Sequence, residues 1–401
     1  MRSRTVVVAM IAALVVTPGA AVARPVPAGP SPREAERLAR SWTAPAAQGA
    51  IGSSPTYVHG SVYYTEDAWP AGDPRSGKRI SRRDAVTGRS LPFAAPAIKA
   101  LFLGEPASDG VRVFTISAYE NAGPVARIRA YTLDGWSSWA RWVPGEQFLP
   151  RVVVAGRLVI AAGELDCDRE PEAGCARTTV AAWSAATGKP AWQRTVPGGA
   201  PQLTAAAGRL TVSTSTGPGV AALTAVDVAT GHRVWSRKGL TAGPVAADAG
   251  HVYLAAGDLC ALRAADGSTR WCVRDRRYHD VMVADGGLYT VSDSEVADRD
   301  ERVDARTTGG RARWSVPASP TGPLTVSNGV VYFQHYPMDG PVLPHPVDRP
   351  TRLVALRGST GARLAEVPLS DGYSSGAVAV GGGRVFTSAY LTAVQGFAPR
   401  R

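Results

Sequence analysis

Short runs of alternating apolar and polar residues, each interrupted by a glycine, recur along the chain from about residue 39 onward. VAADAGHVYL at 245–254 and VMVADGGLYT at 281–290 are typical. Alternation with a period of two is typical of β-strands, and a glycine between two such runs is typical of a hairpin turn. Eight hairpins of this kind follow one another along the chain and are marked by Gly60, Gly110, Gly156, Gly208, Gly250, Gly286, Gly329 and Gly383.

A second hairpin follows each of the first seven, and in five of these a tryptophan stands four positions after the turn glycine. The preceding Asp or Thr can bond to the local backbone, and glycine reaches positive φ without steric cost. Two further copies keep the glycine but have Pro92 or Ala365 at the tryptophan position. The five pairs are Gly135/Trp139, Gly188/Trp192, Gly231/Trp235, Gly267/Trp271 and Gly310/Trp314.

Two hairpins per unit make four antiparallel strands, which is one propeller blade. The sequence therefore predicts an all-β, eight-bladed β-propeller over residues 39–401. The last unit has its first hairpin at Gly383 but runs out at 391–401, which supplies the third strand and then stops. We expect the segment RSWTAP at 40–45, which contains Trp42, to add the fourth strand and close the ring. Closure would remove the exposed edge that invites aggregation.

The recurring tryptophans have a structural explanation. Blades in a ring touch only their neighbours, so each needs a large, rigid apolar surface against the adjoining sheet. We expect these side chains to be buried between blades rather than to stack on a ligand. The predicted docking residues are Trp42, Trp139, Trp192, Trp235, Trp271 and Trp314.

The motif A-x-x-x-x-T-G-x-x-x-W, seen at 182–192 and 225–235, resembles the tryptophan docking motif of the PQQ-like β-propeller repeat proteins. The resemblance covers roughly residues 39–397. That group includes quinoprotein dehydrogenases and the propeller lipoprotein of the outer-membrane β-barrel assembly machinery. The resemblance implies the fold, but one fold hosts many functions.

The segment 1–23 has the pattern of a secretory signal peptide. Arg2 and Arg4 precede an apolar run at 6–16, and Ala21-Val22-Ala23 predicts cleavage before Arg24. The segment 24–38 would then be a linker. No later stretch approaches the length of apolar chain that spans a bilayer, so no transmembrane segment is expected. These features predict a secreted or otherwise extracytoplasmic monomer.

The formal net charge is +11, from 44 Lys and Arg against 33 Asp and Glu. The basic residues are scattered, without runs interleaved with aromatic residues, so nucleic-acid binding is not expected. Attraction to an anionic envelope surface or polymer is one interpretation of this charge, and a solvated surface is the other.

Four cysteines in an exported chain suggest two disulfides. Cys260 and Cys272 stand almost symmetrically about the Asp266-Gly267 turn, and Cys167 and Cys175 bracket a polar loop. Metal binding is the alternative, but C-x-x-C spacing and nearby histidines are lacking.

Candidate binding residues lie in insertions between the two hairpins of a blade, at 65–79, 164–177, 292–302 and 334–350, and at the blade-to-blade link His279-Asp280. Binding residues concentrate in loops carried by a rigid scaffold. His279 could act as a general base if it faces the channel. Two His and an Asp in the last insertion could bind a metal, but their spacing matches no established ligand pattern. The candidates are Trp69, Arg75, Asp168, Arg169, His279, Asp298, Arg299, His335, Tyr336, His345 and Asp348.

No catalytic motif of the hydrolase, zinc-protease, P-loop or dinucleotide-binding kind is present. The leading hypothesis is therefore a non-catalytic scaffold, without cofactor or metal, that binds a protein, a peptide or an envelope polymer. The alternative from the resemblance is a dehydrogenase using pyrroloquinoline quinone (PQQ) and calcium. This chain departs from that pattern because it has no adjacent cysteines and only two asparagines, Asn121 and Asn328.

Overall fold

The computed structural model describes residues 28–46, 51, 53–68, 77–100, 102–119, 125–145, 147–148, 152–167, 175–294, 297–336, 351–369, 376–389 and 393–400. The expected signal peptide lies outside these ranges. The described chain is almost entirely β-structure, with one short helix, Pro32–Ala35, capped by the Ser31 side chain. Within the described ranges no helix has the length and apolar character needed to cross a bilayer.

The strands form seven antiparallel sheets, of which one has six strands and comprises two blades. In that sheet Thr269–Ala284 continues from the outer strand of blade 5 into the inner strand of blade 6. Within His251–Arg263 the chain turns back at Gly257, where φ is 78°, and Ala264 N–H bonds to Gly250 O at 2.9 Å. The prediction of an eight-bladed propeller is therefore confirmed.

Blades 1 to 4 follow one another along the chain, each running from the inner to the outer strand. Blade 1 comprises Thr56–Val58, Ser61–Asp67, Lys78–Asp84 and Ser90–Leu91. In blades 2 and 3 the inner strand is divided in two: blade 2 comprises Phe102–Leu103 and Ala107–Ser108, then Arg112–Tyr119, Val125–Thr132 and Ser137–Val143, and blade 3 comprises Gln147–Phe148 and Val153–Ala155, then Leu158–Cys167, Cys175–Ser184 and Pro190–Pro197. Blade 4 comprises Gly199–Ala206, Arg209–Gly217, Val220–Asp227 and Arg233–Thr241.

Blades 5 to 8 continue in the same order, and the last takes its outer strand from the N-terminal part of the chain. Blade 5 comprises Val245–Ala247, His251–Arg263 and the first half of Thr269–Ala284, and blade 6 comprises the second half of Thr269–Ala284, Gly287–Ser294, Ala297–Thr307 and Ala312–Pro317. Blade 7 comprises Thr325–Ser327, Val330–His335, Arg352–Arg357 and Arg363–Pro368. Blade 8 comprises Ala379–Gly381, Arg384–Ala389, Ala393–Pro399 and Leu38–Pro45.

Ring closure by the N-terminal strand takes place as the sequence predicts. Leu38–Pro45 pairs antiparallel with Ala393–Pro399, with Thr43 opposite Gln395. The segment just before it is also fixed, because the Tyr332 hydroxyl donates to Pro30 O at 3.1 Å. The first and last parts of the described chain therefore share one blade.

The core is divided into eight apolar clusters, one at each contact between neighbouring blades. At the contact between blades 8 and 1, Trp42 and Phe386 pack with Val62 and Tyr64. Between blades 7 and 8, where Ala365 replaces the tryptophan, Ala35 of the short helix joins the cluster. The remaining clusters join the other successive pairs of blades. Each blade is thus held by two neighbours.

Each of the six tryptophans of the docking motif lies against the outer hairpin of the next blade. The indole N–H donates to a main-chain carbonyl there, and the ring covers the turn glycine. Since both ring and donor are engaged, these side chains are not free to stack on a ligand. The bonds are Trp42 to Ala85 at 3.1 Å, Trp139 to Ala185 at 3.0 Å, Trp192 to Val228 at 2.7 Å, Trp235 to Ala264 at 2.8 Å, Trp271 to Thr308 at 3.2 Å and Trp314 to Gly358 at 2.9 Å.

Blade 1 lacks the tryptophan, and Phe93, one position later, takes its place. Its ring lies 5.9 Å from that of Tyr63 and 5.8 Å from that of Tyr131, and a Cβ on Gly135 would come within 2.8 Å of it. Because Pro92 interrupts the strand, the outer strand of this blade is only Ser90–Leu91. The spacing rule failed here by one position.

An arginine two positions after the tryptophan strengthens three of the docking contacts. Arg141 and Arg194 each donate from Nε to the carbonyl of the turn glycine in the next blade, at 2.8 and 2.9 Å, and Arg237 does so from a terminal nitrogen. The tryptophans that dock on Gly88 and Gly310 have no arginine two positions later. There an arginine of the receiving blade bonds to the turn-glycine carbonyl instead: Arg83 to Gly88 O and Arg306 to Gly310 O, each at 3.1 Å. Part of the arginine content is therefore structural.

Both predicted disulfides are present. Cys167 bonds to Cys175 and Cys260 to Cys272, each between directly paired residues of adjacent strands. These two bonds account for all four cysteines of the chain.

The two ends of the ring differ. We call the end that carries the turns inside the hairpins the turn face, and the end that carries the links between hairpins and between blades the rim. The described residues on either side of the long insertions lie at the rim.

Candidate binding site on the rim

The structure describes only some of the predicted rim residues. Those outside the described residues are Trp69, Arg75, Asp168, Arg169, His345 and Asp348. Asp298 and Arg299 belong to the strand Ala297–Thr307, of which the structure describes their backbone. His279, His335 and Tyr336 are described.

The stretch 292–302, interpreted from sequence as a loop insertion, is mainly an extension of two strands. Gly287–Ser294 and Ala297–Thr307 stay paired up to Ser294 and Ala297. The paired strands of blade 6 therefore extend to the rim.

His279 lies at the rim end of blade 6, between two carboxylates. Its Nε2 is 3.5 Å from Glu301 Oε1 and 3.9 Å from Asp293 Oδ2. Arg277 holds Asp293 with two bonds, at 2.8 and 2.7 Å. Three strands of one blade thus bring Arg277 and His279 together with two anions.

The same cluster reaches blade 7 through Ser319. Glu301 bonds to the Ser319 side chain, and Ser319 N–H donates to His335 Nδ1 at 3.1 Å. Tyr336 N–H bonds to Ser319 O at 3.0 Å. His279 and His335, which lie on different blades and far apart in the sequence, are therefore joined through Glu301 and Ser319.

The two carboxylates of this cluster differ in acidity. Burial raises the pKa of Glu301 above its ordinary value, although His279 and Ser319 oppose the rise. The hydrogen bond from Arg277 lowers the pKa of Asp293, despite some burial. Asp293 therefore stays charged under ordinary conditions, while Glu301 is the carboxylate that protonates first on acidification.

A second part of the rim is stiffened by the disulfide Cys167–Cys175 at the base of the 164–177 insertion. Glu164 in this hairpin accepts a hydrogen bond from Ala200 N–H, in the inner strand of blade 4. Asp166 pairs with Arg177 across the hairpin. The two ends of this insertion are therefore held by contacts with blades 3 and 4.

Sequence reasoning found His279 and included Asp293 and Glu301 in the candidate insertion 292–302, but it did not place these two residues or Arg277 beside His279. Arg277 stands two positions before His279 in RRYHD, which was a usable signal. The two acidic residues could be assigned only after strand pairing placed them at the same rim edge.

The described residues do not fit PQQ with calcium. Among the residues with described side chains, no three of the types His, Cys, Asp and Glu are placed to share a metal ion. The docking indoles are engaged between blades, as shown above, and both disulfides span hairpins rather than adjacent residues. The described residues therefore offer PQQ neither a free docking indole nor a metal site of three such side chains.

An eight-bladed ring with tryptophan docking between neighbouring blades defines a PQQ-like β-propeller repeat protein. Residues 70–240 and 221–398 match the family model of outer membrane protein assembly factor BamB, and the chain belongs to that family. No curated protein is significantly similar to the chain in sequence.

Solved structures share the fold at low sequence identity. Quinohemoprotein alcohol dehydrogenase from Comamonas testosteroni matches with a TM-score of 0.60 and 14% identity, over 92% of this chain and 77% of that one. A europium-containing methanol dehydrogenase matches with 0.58 and 11%, over 92% and 94%. BamB from Moraxella catarrhalis matches with 0.47 and 18%, over 73% and 93%.

Proposed function

We propose that the chain is an extracytoplasmic, non-catalytic binding protein whose rim holds a protein partner. The observation that carries the proposal is the mixed-charge cluster of Arg277, His279, Asp293 and Glu301 at the rim end of blade 6. Membership in a family described as an assembly factor supports it. The two disulfides favour an oxidising compartment.

A polypeptide suits this cluster better than a uniformly charged polymer does. Positively and negatively charged side chains stand next to one another within one blade. A partner must therefore place charges of both signs opposite them in a matching arrangement. A polyanion would gain from Arg277 but would be repelled by Asp293 and Glu301. We therefore place a protein or peptide ahead of an envelope polymer.

The proposal is tested by site-specific crosslinking in the native cell envelope. A photoreactive residue is placed at Arg302, on the rim beside Glu301, and at Arg311, an exposed position on the turn face. We expect a discrete protein adduct from position 302 and none from 311. Arg277→Glu in the same chain should reduce the adduct about tenfold, because it reverses one charge of the cluster.

Three results would overturn this function. Equal adducts from both positions would show that the rim is not selective. An adduct that Arg277→Glu leaves unchanged would exclude the cluster. A thermal shift with PQQ and calcium, together with alcohol-dependent dye reduction, would favour the dehydrogenase instead.

A further inference from the structure

Large apolar side chains are exposed mainly on two neighbouring blades. Four of the five in the described residues belong to blades 1 and 2: Val86, Val111, Trp136 and Trp142 are exposed by 57, 48, 66 and 52%. The first three stand at the tips of turns on the turn face. Exposed apolar clusters of this kind mark sites of interaction.

The repeat itself shows that these tips are unusual. Trp136 directly follows the turn glycine of the outer hairpin, and Val111 follows that of the inner hairpin. Val86 lies two positions before Gly88. The equivalents of Trp136 are Arg89, Lys189, His232, Ser268, Arg311 and Ala362; those of Val86 are Leu133, Ala186, Ala229, Ala265, Thr308 and Ser359; and those of Val111 are Ser61, Arg157, Arg209, His251, Gly287, Val330 and Arg384. The two large apolar residues among these equivalents, Leu133 and Val330, are partly or fully buried.

The turns do not need these side chains. Each is fixed through the main chain: Trp136 N–H bonds to the Thr132 hydroxyl at 3.0 Å, Val86 N–H to Asp84 Oδ1 at 3.0 Å, and Val111 N–H to an Asp109 oxygen at 2.8 Å. Any residue with a main-chain N–H could make these bonds. The apolar side chains therefore have no role in holding the turns.

The three tips belong to turns of two blades that are bound together. The Tyr63 hydroxyl of blade 1 donates to Leu133 O at 2.7 Å, and Ala94 N–H donates to Asp134 O at 2.8 Å. Both acceptors lie in the turn that carries Trp136. The turn that carries Trp136 is therefore fixed to blade 1, whose outer turn carries Val86.

The charge around the tips favours an anionic partner. Exposed cations on the turn face of blades 1 and 3 flank blade 2: Arg89, Arg157 and Lys189. The tip turns also carry Asp84, Asp109 and Asp134. Asp109 pairs with Arg112 at 3.4 Å. Hydrogen bonds within its own turn lower the pKa of the Asp84 carboxyl, and Arg89 lies close enough to add to this effect.

The N-terminal part of the described chain reaches the same face. Gly383 N–H bonds to Ala28 O at 3.2 Å, and Gly29 N–H bonds to the Ser327 hydroxyl at 3.0 Å. Gly383 and Ser327 lie in or beside inner-hairpin turns, in blades 8 and 7. The chain therefore enters the propeller at the turn face, and blade 8 adjoins blade 1.

We propose that the turn face of blades 1 and 2 is a peripheral membrane-binding surface that docks on an anionic lipid bilayer. Trp136 would lie at the headgroup level, Val86 and Val111 would enter the acyl boundary, and Arg89, Arg157 and Lys189 would contact lipid phosphates. A soluble polyanion would need only the cations. Docking in this way directs the rim away from the membrane.

The test is a vesicle flotation assay with the chain from Arg24 onward, the form expected after cleavage, because the apolar run at 6–16 would itself bind vesicles. One set of vesicles contains phosphatidylglycerol and phosphatidylcholine in equal parts, and the other contains phosphatidylcholine alone. The variant Val86→Ser/Val111→Ser/Trp136→Ser is compared with Trp142→Ser/Val220→Ser, which removes exposed side chains away from the turn face. Any contribution of the N-terminal residues to vesicle binding is the same in all variants. Thermal melts verify that each variant is folded.

We expect the triple variant to lose about tenfold or more of its partition onto the anionic vesicles, and the control to keep wild-type binding. Arg89→Gln and Lys189→Gln should each weaken binding roughly fivefold, on the anionic vesicles only. Equal binding by the triple variant and the control would overturn the proposal. Absence of vesicle binding, or tighter binding to soluble polyphosphate that the triple variant retains, would also overturn it. The crosslinking test of the rim is unaffected by any of these results.

Discussion

The indole N–H of Trp42 donates to the carbonyl oxygen of Ala85 at 3.1 Å, and this bond joins the last blade of the ring to the first. Trp42 is buried together with Phe386, Val62 and Tyr64. The same contact that docks the internal blades therefore also closes the ring.

Trp42→Ala should lower the free energy of unfolding by about 3–5 kcal/mol, since a large buried ring and its hydrogen bond are lost. Urea denaturation measures the change. Trp136→Ala, at a ring that is 66% exposed, should stay within about 0.5 kcal/mol of the wild type. If a chain lacking the segment 1–46 is as heat-resistant as the intact chain, closure by this strand is wrong.

Gly231→Ala should cost more than Gly208→Ala, although both glycines have positive φ, of 67° and 76°. A Cβ on Gly231 would come within 2.5 Å of Trp192, whereas nothing lies within 4 Å of one on Gly208. We expect about 1–2 kcal/mol for Gly208→Ala from backbone strain alone, and about 1–3 kcal/mol more for Gly231→Ala. Equal melting temperatures would contradict the close contact.

Arg194→Met should destabilise the contact between blades 3 and 4 by about 1 kcal/mol, because the Gly231 carbonyl loses a donor placed at 2.9 Å. Arg194→Lys should not restore it, since an ammonium group lacks the directed Nε–H. Arg233→Met, at an exposed position of a neighbouring outer strand, is the matched control. Denaturant midpoints compare the three. Rescue by lysine would mean that charge alone acts here.

The contact between blades 5 and 6 should depend on pH through Asp275. Burial alone would raise the pKa of this carboxyl, but hydrogen bonds from Tyr278 and Arg306 outweigh it and hold the pKa below its ordinary value. The stabilisation is then complete above the unfolded-state pKa of about 4 and is lost as the pH falls through the lower folded value.

Asp275→Asn should therefore cost about 1 kcal/mol at neutral pH, a modest effect because the Asp275 side chain is half exposed. The difference from the wild type should shrink below about pH 4. Melting curves across the acidic range measure it. A difference that grows on acidification would contradict the assignment.

Replacing both Cys167 and Cys175 with serine should cost about 2–3 kcal/mol in the chain-entropy model and weaken rim binding. Replacing Cys260 and Cys272 should cost a similar amount but leave partner crosslinking at the rim intact, since that bridge spans a hairpin that ends in a tight turn on the other face. Melting temperatures and adduct yields of the two variants, measured side by side, separate stability from binding. Equal losses of the adduct would contradict a role for the first loop.

The sequence alone determined the architecture. Glycine and tryptophan at a fixed spacing establish both the turn and the docking contact, because the interaction depends on local geometry that each blade repeats. For the same reason Trp42 could be assigned to the closing strand without a structure. The rule failed at Phe93, where Pro92 displaced the aromatic residue by one position.

Tertiary structure decided what lies together on each end of the ring. His279 and Glu301 stand on different strands of one blade, and Val86 and Trp136 stand on different blades. Strand register and ring order bring each pair onto the same end. Neither relationship has a local signal, because it depends on which strands pair and which blades adjoin. The repeat thus encodes the scaffold, while the surfaces that give it a function arise where individual blades depart from the repeat.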